Sequence, residues 1–98
     1  MLARMADVFR ALDDETRRLI LDELAARDGQ TLFEICTVLT MRHGIGSTRQ
    51  AISQHLAVLE DARLVATERR GRTKLHYFNR EPLETITQRW PIIRKDDP

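Results

Sequence analysis

Ser47-Thr48-Arg49-Gln50-Ala51-Ile52-Ser53-Gln54-His55-Leu56-Ala57-Val58-Leu59 is the stretch on which the reading of this chain turns. Wound at about 100° per residue, it gathers Ile52, Leu56 and Leu59 on one side, with Ala51 and His55 at the margin. Gln50, Ser53, Gln54 and Ala57 gather on the other. Surface helices usually show Lys and Glu to water. This one shows short, neutral groups that can hydrogen-bond, which is what a helix needs to enter a groove and meet base edges. An ordinary solvated helix is the plainer alternative, and the flanking residues have to separate the two.

Upstream, Thr31-Leu32-Phe33-Glu34 fits a capping box, with Thr followed three residues later by Glu. It predicts a helix that buries Leu32, Ile35, Cys36 and Leu39. The stretch Met41-Arg42-His43-Gly44-Ile45-Gly46 reads as a loop, and Ser47 with Gln50 as a second capping box. Two short helices joined by a glycine-bearing connector, the second with a neutral polar face, make a helix-turn-helix unit. The connector exceeds the usual three or four residues. Either the turn is elaborated or the earlier helix runs on.

Downstream, Val65–Arg69 and Thr73–Phe78 are rich in β-branched and aromatic residues, and Gly71 can supply the turn between them. Which face of the second strand is buried stays open, since both Leu75/Tyr77 and His76/Phe78 would serve. The tip carries Arg69, Arg70, Arg72 and Lys74. A basic hairpin directly after a groove-reading helix suits the phosphate backbone, whereas charge on an exposed edge strand can also serve solubility alone.

At the start, Leu2, Met5, Phe9 and Leu12 form one apolar stripe, widened by Val8. Asp13 is expected to cap a second helix that buries Leu19, Ile20 and Leu24, with Gly29 as its stop. Near the end, Pro82 suits a helix's first turn, Leu83, Ile86 and Trp90 form another stripe, and Pro91 halts it. The middle has its own core, so these two terminal stripes are expected to meet a second copy. Residues 1–91 then form one domain, and 92–98 a charged, disordered tail.

The chain has 98 residues, 42% hydrophobic and 32% charged, which suits one soluble domain and excludes a disordered chain. At this size about two-thirds of the unfolded surface is buried, so pairing would add core. Net charge is only +1, yet residues 42–80 hold eight basic and three acidic groups. That excess falls on the helix and hairpin above, as a polyanion partner requires. No apolar run reaches the roughly 20 residues that span a bilayer. The start lacks a signal-peptide core, and one cysteine makes no internal disulfide, so a cytoplasmic setting is expected. No serine or threonine sits in a nucleophile elbow, and no glycine loop suits phosphate binding. An enzyme is not expected, and no cofactor is implied.

Leu12-Asp13-Asp14-Glu15-Thr16-Arg17, the segment Arg49 to Leu59, and Leu64-Val65 leading to Gly71-Arg72 and Leu75-His76-Tyr77 resemble the ArsR/SmtB family of winged helix-turn-helix repressors. The likeness covers roughly residues 5–90. It implies a mainly α fold with a small β-hairpin, in the order α-α-α-α-β-β-α, dimerised through the first and last helices. It also implies a homodimeric regulator that binds an inverted-repeat operator in double-stranded DNA and represses transcription until released.

Three departures matter. The family's soft-metal sensors carry Cys-x-Cys on the third helix, but Val38 stands two residues after Cys36. No His follows His76, which removes the zinc and nickel ligands of the last helix. The resemblance is therefore to members without the usual metal sites, and no metal is expected. Arg63 stands where the family has Gly, so either the helix runs on or Arg63 bears left-handed strain of roughly 1 kcal/mol.

The expected base readers are Thr48, Arg49, Gln50, Ser53 and Gln54. Arg69, Arg70, Arg72 and Lys74 are expected on phosphate. The expected dimer interface is Leu2, Met5, Phe9, Leu12, Leu83, Ile86 and Trp90. His55 is expected to be a half-buried residue that seats its helix. Cys36 reads as a structural thiol. The alternatives are a winged helix that binds protein instead of DNA, and a repressor that senses metal or thiol chemistry through Cys36.

Overall fold

Each helix of the protein starts or ends on an identifiable local device, and the computed structural model describes these for residues 5–95. The elements run α1 (Met5–Leu12), α2 (Glu15–Ala26), α3 (Leu32–His43), α4 (Arg49–Asp61), β1 (Val65–Arg70), β2 (Thr73–Phe78) and α5 (Glu81–Arg89). This is the expected order. Leu2 lies outside the described residues.

Two caps fall one residue later than the sequence suggests. Asp14, not Asp13, caps α2, accepting from the Arg17 backbone N–H. Thr48, not Ser47, caps α4, accepting from Ala51 N at 3.1 Å. Both sites offer two adjacent capping side chains, and spacing alone does not choose between neighbours. The α3 box forms as expected: Thr31 and Glu34 satisfy each other's backbone N–H groups.

The long connector resolves by α3 running on to His43. It stops at Gly44, whose φ of +64° is left-handed. Gly44 N bonds to Thr40 O and Ile45 N reaches back six residues to Leu39 O. The end of α4 also closes on a left-handed residue, but without glycine and through the tighter six-to-one bond. Leu64 N bonds to Leu59 O and Arg63 N to Glu60 O, with Arg63 at φ +61°. Arg63 therefore bears the strain, and Asn79 Nδ2 holds its carbonyl at 2.8 Å.

Gly29 is left-handed, but it does not stop α2, which ends three residues earlier. The Gln30 side chain closes that end instead, donating to the Glu23 and Arg27 carbonyls. Gly29 turns the chain so that Gln30 can pair with His76 as an isolated bridge beside β2. The His76 Nδ1–H donates to Gln30 O at 2.9 Å, which accounts for a buried histidine.

The core sits where α4 meets its neighbours. Ile52, Leu56 and Leu59 pack with Ile35 and Leu39 of α3, Ile20 and Leu24 of α2, Val8 and Ala11 of α1, and Leu64. On α1, Val8 and Ala11 face the core, while Phe9 points outward, 44% exposed. In the hairpin, Val65 pairs with Phe78 and Thr67 with His76. The face bearing Val65 and His76 is the core face, while Leu75 and Tyr77 on the other face are half-buried. No helix among the described residues is long and apolar enough to cross a membrane.

Candidate nucleic-acid interface

Burying Ile52, Leu56 and Leu59 fixes which side of α4 looks outward. Arg49, Gln50, Ser53, Gln54 and Ala57 are all exposed, and Ala51 and His55 lie half-buried at the edge. Thr48 is exposed at the head of the helix, where its hydroxyl oxygen is engaged by the cap. The outward residues recur at i, i+3, i+4 and i+7, forming one continuous strip. Gln50 and Gln54, one turn apart, each carry an amide that can both donate and accept.

The wing rises beside this strip. A two-residue turn, Gly71-Arg72, joins its strands, with Gly71 at φ +61° in the first turn position, where a tight hairpin of this kind needs positive φ. Between the wing, α4 and the first turn of α3 runs an open groove of about 430 Å³. Arg49, Arg72 and Lys74 line it, and so does the carboxylate of Glu60.

The four wing cations are not equivalent. Arg70 pairs with Glu68 on its own strand. Lys74 Nζ lies 3.4 Å from Glu60 Oε1 of α4. Arg69 and Arg72 have no ion-pair partner among the described residues and are exposed. The tip thus has two uncommitted charges and two that are each paired with a carboxylate of their own. The strand register could have suggested the Glu68–Arg70 pair, since i and i+2 share a face. Nothing local signals Glu60, which lies 14 residues before Lys74.

The thiol of Cys36 is half-buried on α3. Burial pushes it up, and the Arg49 charge only partly offsets this, so it is the protonated thiol at neutral pH. Among the described residues no three His, Cys, Asp or Glu side chains are grouped to hold a metal ion. Glu23 is a buried carboxylate that sequence reading missed. His43 Nε2 at 2.9 Å and Arg42 Nη1 at 3.3 Å meet it from the last turn of α3. The signal was present, since Glu23 falls on the same α2 face as Ile20 and Leu24.

The terminal helices pack on each other, and both show apolar surface. Phe9 is 44% exposed and Trp90 57%, while Met5, Leu12, Leu83 and Ile86 are half-buried beside them. The Arg89 guanidinium lies 4.9 Å over the Trp90 ring.

Residues 12–68 match a family model described as a helix-turn-helix domain. That span runs from the end of α1 into β1. The HTH-type transcriptional regulator YuzN of Bacillus subtilis, itself described as uncharacterized, is 48% identical over 85% of this chain and 90% of its own length. An ArsR-like transcriptional regulator from Rhodococcus sp. RHA1, of solved structure, is 33% identical, with a TM-score of 0.74 over 87% of this chain and 72% of that one. This chain belongs to the ArsR/SmtB family. It is a DNA-binding transcriptional regulator of the winged helix-turn-helix type. The HTH-type transcriptional regulator KmtR of Mycobacterium tuberculosis is also similar, 36% identical over 84% of this chain but only 58% of its own length. As in the rest of this ArsR/SmtB fold, α3 and α4 form the helix-turn-helix and β1 with β2 the wing.

Proposed function

We propose that this regulator is a cytoplasmic homodimer that represses transcription by binding an inverted-repeat operator, with no catalytic step of its own. The observation that carries the reading is the uncharged, hydrogen-bonding strip of α4, exposed beside a groove lined by Arg49, Arg72 and Lys74. Gln50 and Gln54 pair with adenine edges, Ser53 adapts to either base, and Thr48 and Arg49 contact the duplex where α4 enters the groove. Arg69 and Arg72 hold phosphate. Arg70 and Lys74 join them once they release their carboxylates.

Two copies meet through the apolar stripes of α1 and α5. Exposure of Phe9 and Trp90 supports this, because burying large aromatics gains the most from pairing. Met5, Leu12, Leu83 and Ile86 complete the interface. Repression is the action that the family resemblance supports.

Selection of bound duplexes from a random library tests all of this together. The expected product is a two-fold symmetric site with half-sites about 10 base pairs apart, or a multiple of that. Enrichment of no sequence, alongside uniform binding, rejects base reading. Enrichment of a single asymmetric half-site rejects the dimer.

A further inference from the structure

Arg17 lies on α2, outside the groove, yet its guanidinium joins three elements. Nε donates to Ala11 O at 2.8 Å and Nη2 to Arg10 O at 3.1 Å, both in the last turn of α1. Nη1 lies 3.1 Å from His55 Nδ1 on α4. A guanidinium only donates, so His55 Nδ1 accepts and the ring carries its proton on Nε2. Asp14 anchors the base of the arrangement. One oxygen caps α2 through Arg17 N at 3.0 Å, and the other lies 4.0 Å from Arg17 Nη1. Burial raises the Asp14 carboxyl, but the Arg17 N–H and the nearby Arg17 guanidinium charge outweigh it and hold it below the usual range. The Arg17 side chain is only 14% exposed, so these charge-assisted bonds are made largely out of water.

The position of His55 matters more than the strength of its bond. It is the edge residue of α4, directly after Gln54. Apart from the partly exposed Glu60–Lys74 pair near its far end, α4 is seated by apolar contacts through Ile52, Leu56 and Leu59, which are not directional. A side-chain tip about 6 Å from a helix axis moves roughly 1–2 Å for a roll of 10–20°. That is wider than the window of a good hydrogen bond. Reading bases through Gln50 and Gln54 therefore requires a roll angle held more tightly than apolar packing alone holds it.

We propose that Arg17 is a positioning residue for base reading: through His55 it fixes the roll of α4, and it ties that roll to the end of α1. The orientation of α1 and the face that α4 presents then change together, so whatever seats or displaces α1 alters which side chains reach the bases. The inference rests on Gln50, Ser53 and Gln54 being the base readers.

The test compares His55→Leu, His55→Asn and Arg17→Lys in the full chain, each checked for folding by circular dichroism. The readout is the ratio of affinities for a library-selected duplex and a random duplex of equal length. His55→Leu removes the acceptor and lowers the ratio about tenfold, the discrimination of one paired base contact. Random-duplex affinity and its salt slope stay unchanged. His55→Asn, whose Oδ1 can stand where Nδ1 was, restores most of the ratio. Arg17→Lys, which cannot span the three acceptors, falls with His55→Leu and carries the test alone if that variant does not fold. An unchanged ratio overturns the proposal. So do equal losses for His55→Leu and His55→Asn, which mark a merely structural ring. A wild-type ratio near one is distinguishable from both, since it removes base reading itself and the positioning role with it.

Discussion

The outward face of α4 and the tip of the wing border the same groove, yet they are built on opposite principles. The α4 strip between Gln50 and Ala57 carries no charge and has its amides and hydroxyl exposed. The wing tip is dense in charge, and half of that charge is already paired, Arg70 with Glu68 and Lys74 with Glu60. Neutral amides distinguish one base pair from another but add little long-range attraction. Cations attract any duplex and distinguish none. A regulator needs its ratio of specific to random binding to be large, not its total affinity. Pairing part of the wing charge internally limits the term that all sequences share. Discrimination is made on α4, and the wing protects it by holding part of its charge back.

Gln54→Ala should have the largest effect on discrimination. It removes an amide without altering charge or the buried face of α4. Affinity for a selected duplex should fall by about 1–3 kcal/mol, while affinity for random duplex holds. Gln50→Ala should behave alike. Equal losses on both duplexes, measured by fluorescence anisotropy titration, would move base reading away from this face.

Arg72→Ala should do the reverse. Arg72 lies exposed in the wing turn, and its loss should weaken every duplex alike. The log–log salt slope should flatten by about 0.9, the value for one phosphate contact. Arg70→Ala should flatten it less, because Glu68 competes for that guanidinium. If the two arginines prove interchangeable, the internal pair does not limit the wing.

Much of this division is legible in the amino-acid sequence. The four wing cations, the polar strip and the buried Ile52, Leu56 and Leu59 all follow from period and spacing. Three kinds of feature are not. The choice between adjacent caps, Asp13 or Asp14 and Ser47 or Thr48, depends on where the chain enters the helix, and neighbouring residues carry equivalent chemistry. The core contact of Ala11 on α1 is passed over because a periodic count weighs large apolar residues, and Ala11 is small. Long-range polar partners leave no local trace. Glu60 with Lys74, Arg17 with His55 and Gln30 with His76 join segments 14 to 46 residues apart, and only the folded chain brings them together.

Glu60→Gln tests the protective role directly, with a sign opposite to Arg72→Ala. The substitution keeps the side chain's size and removes the charge facing Lys74. Both groups are partly exposed, so the fold should lose little. Lys74 becomes available to phosphate and a repelling carboxylate leaves the groove. Binding to all duplexes should strengthen and the salt slope should steepen, by no more than the roughly 0.9 of one added contact. The ratio of specific to random affinity should not rise. A slope that stays flat would mean that phosphate does not approach Lys74.

Arg63→Gly probes the joint between the two regions and should have the smallest effect. Arg63 follows the Ala62 cap of α4 and lies two residues before β1, with φ at +61°, a conformation that a residue with a Cβ adopts at a cost. Glycine removes that cost but adds freedom to the unfolded chain, so the net gain in stability should be about 0.5 kcal/mol, read as a small rise in thermal midpoint. The backbone bonds at this corner, Leu64 N to Leu59 O and Asn79 Nδ2 to Arg63 O, use no Arg63 side-chain atom and should persist. With the corner intact, α4 and the wing keep their relative placement, and discrimination should not change. A rise in stability together with a fall in discrimination would show instead that the strained residue stiffens the joint, and that the angle between α4 and the wing contributes to sequence reading.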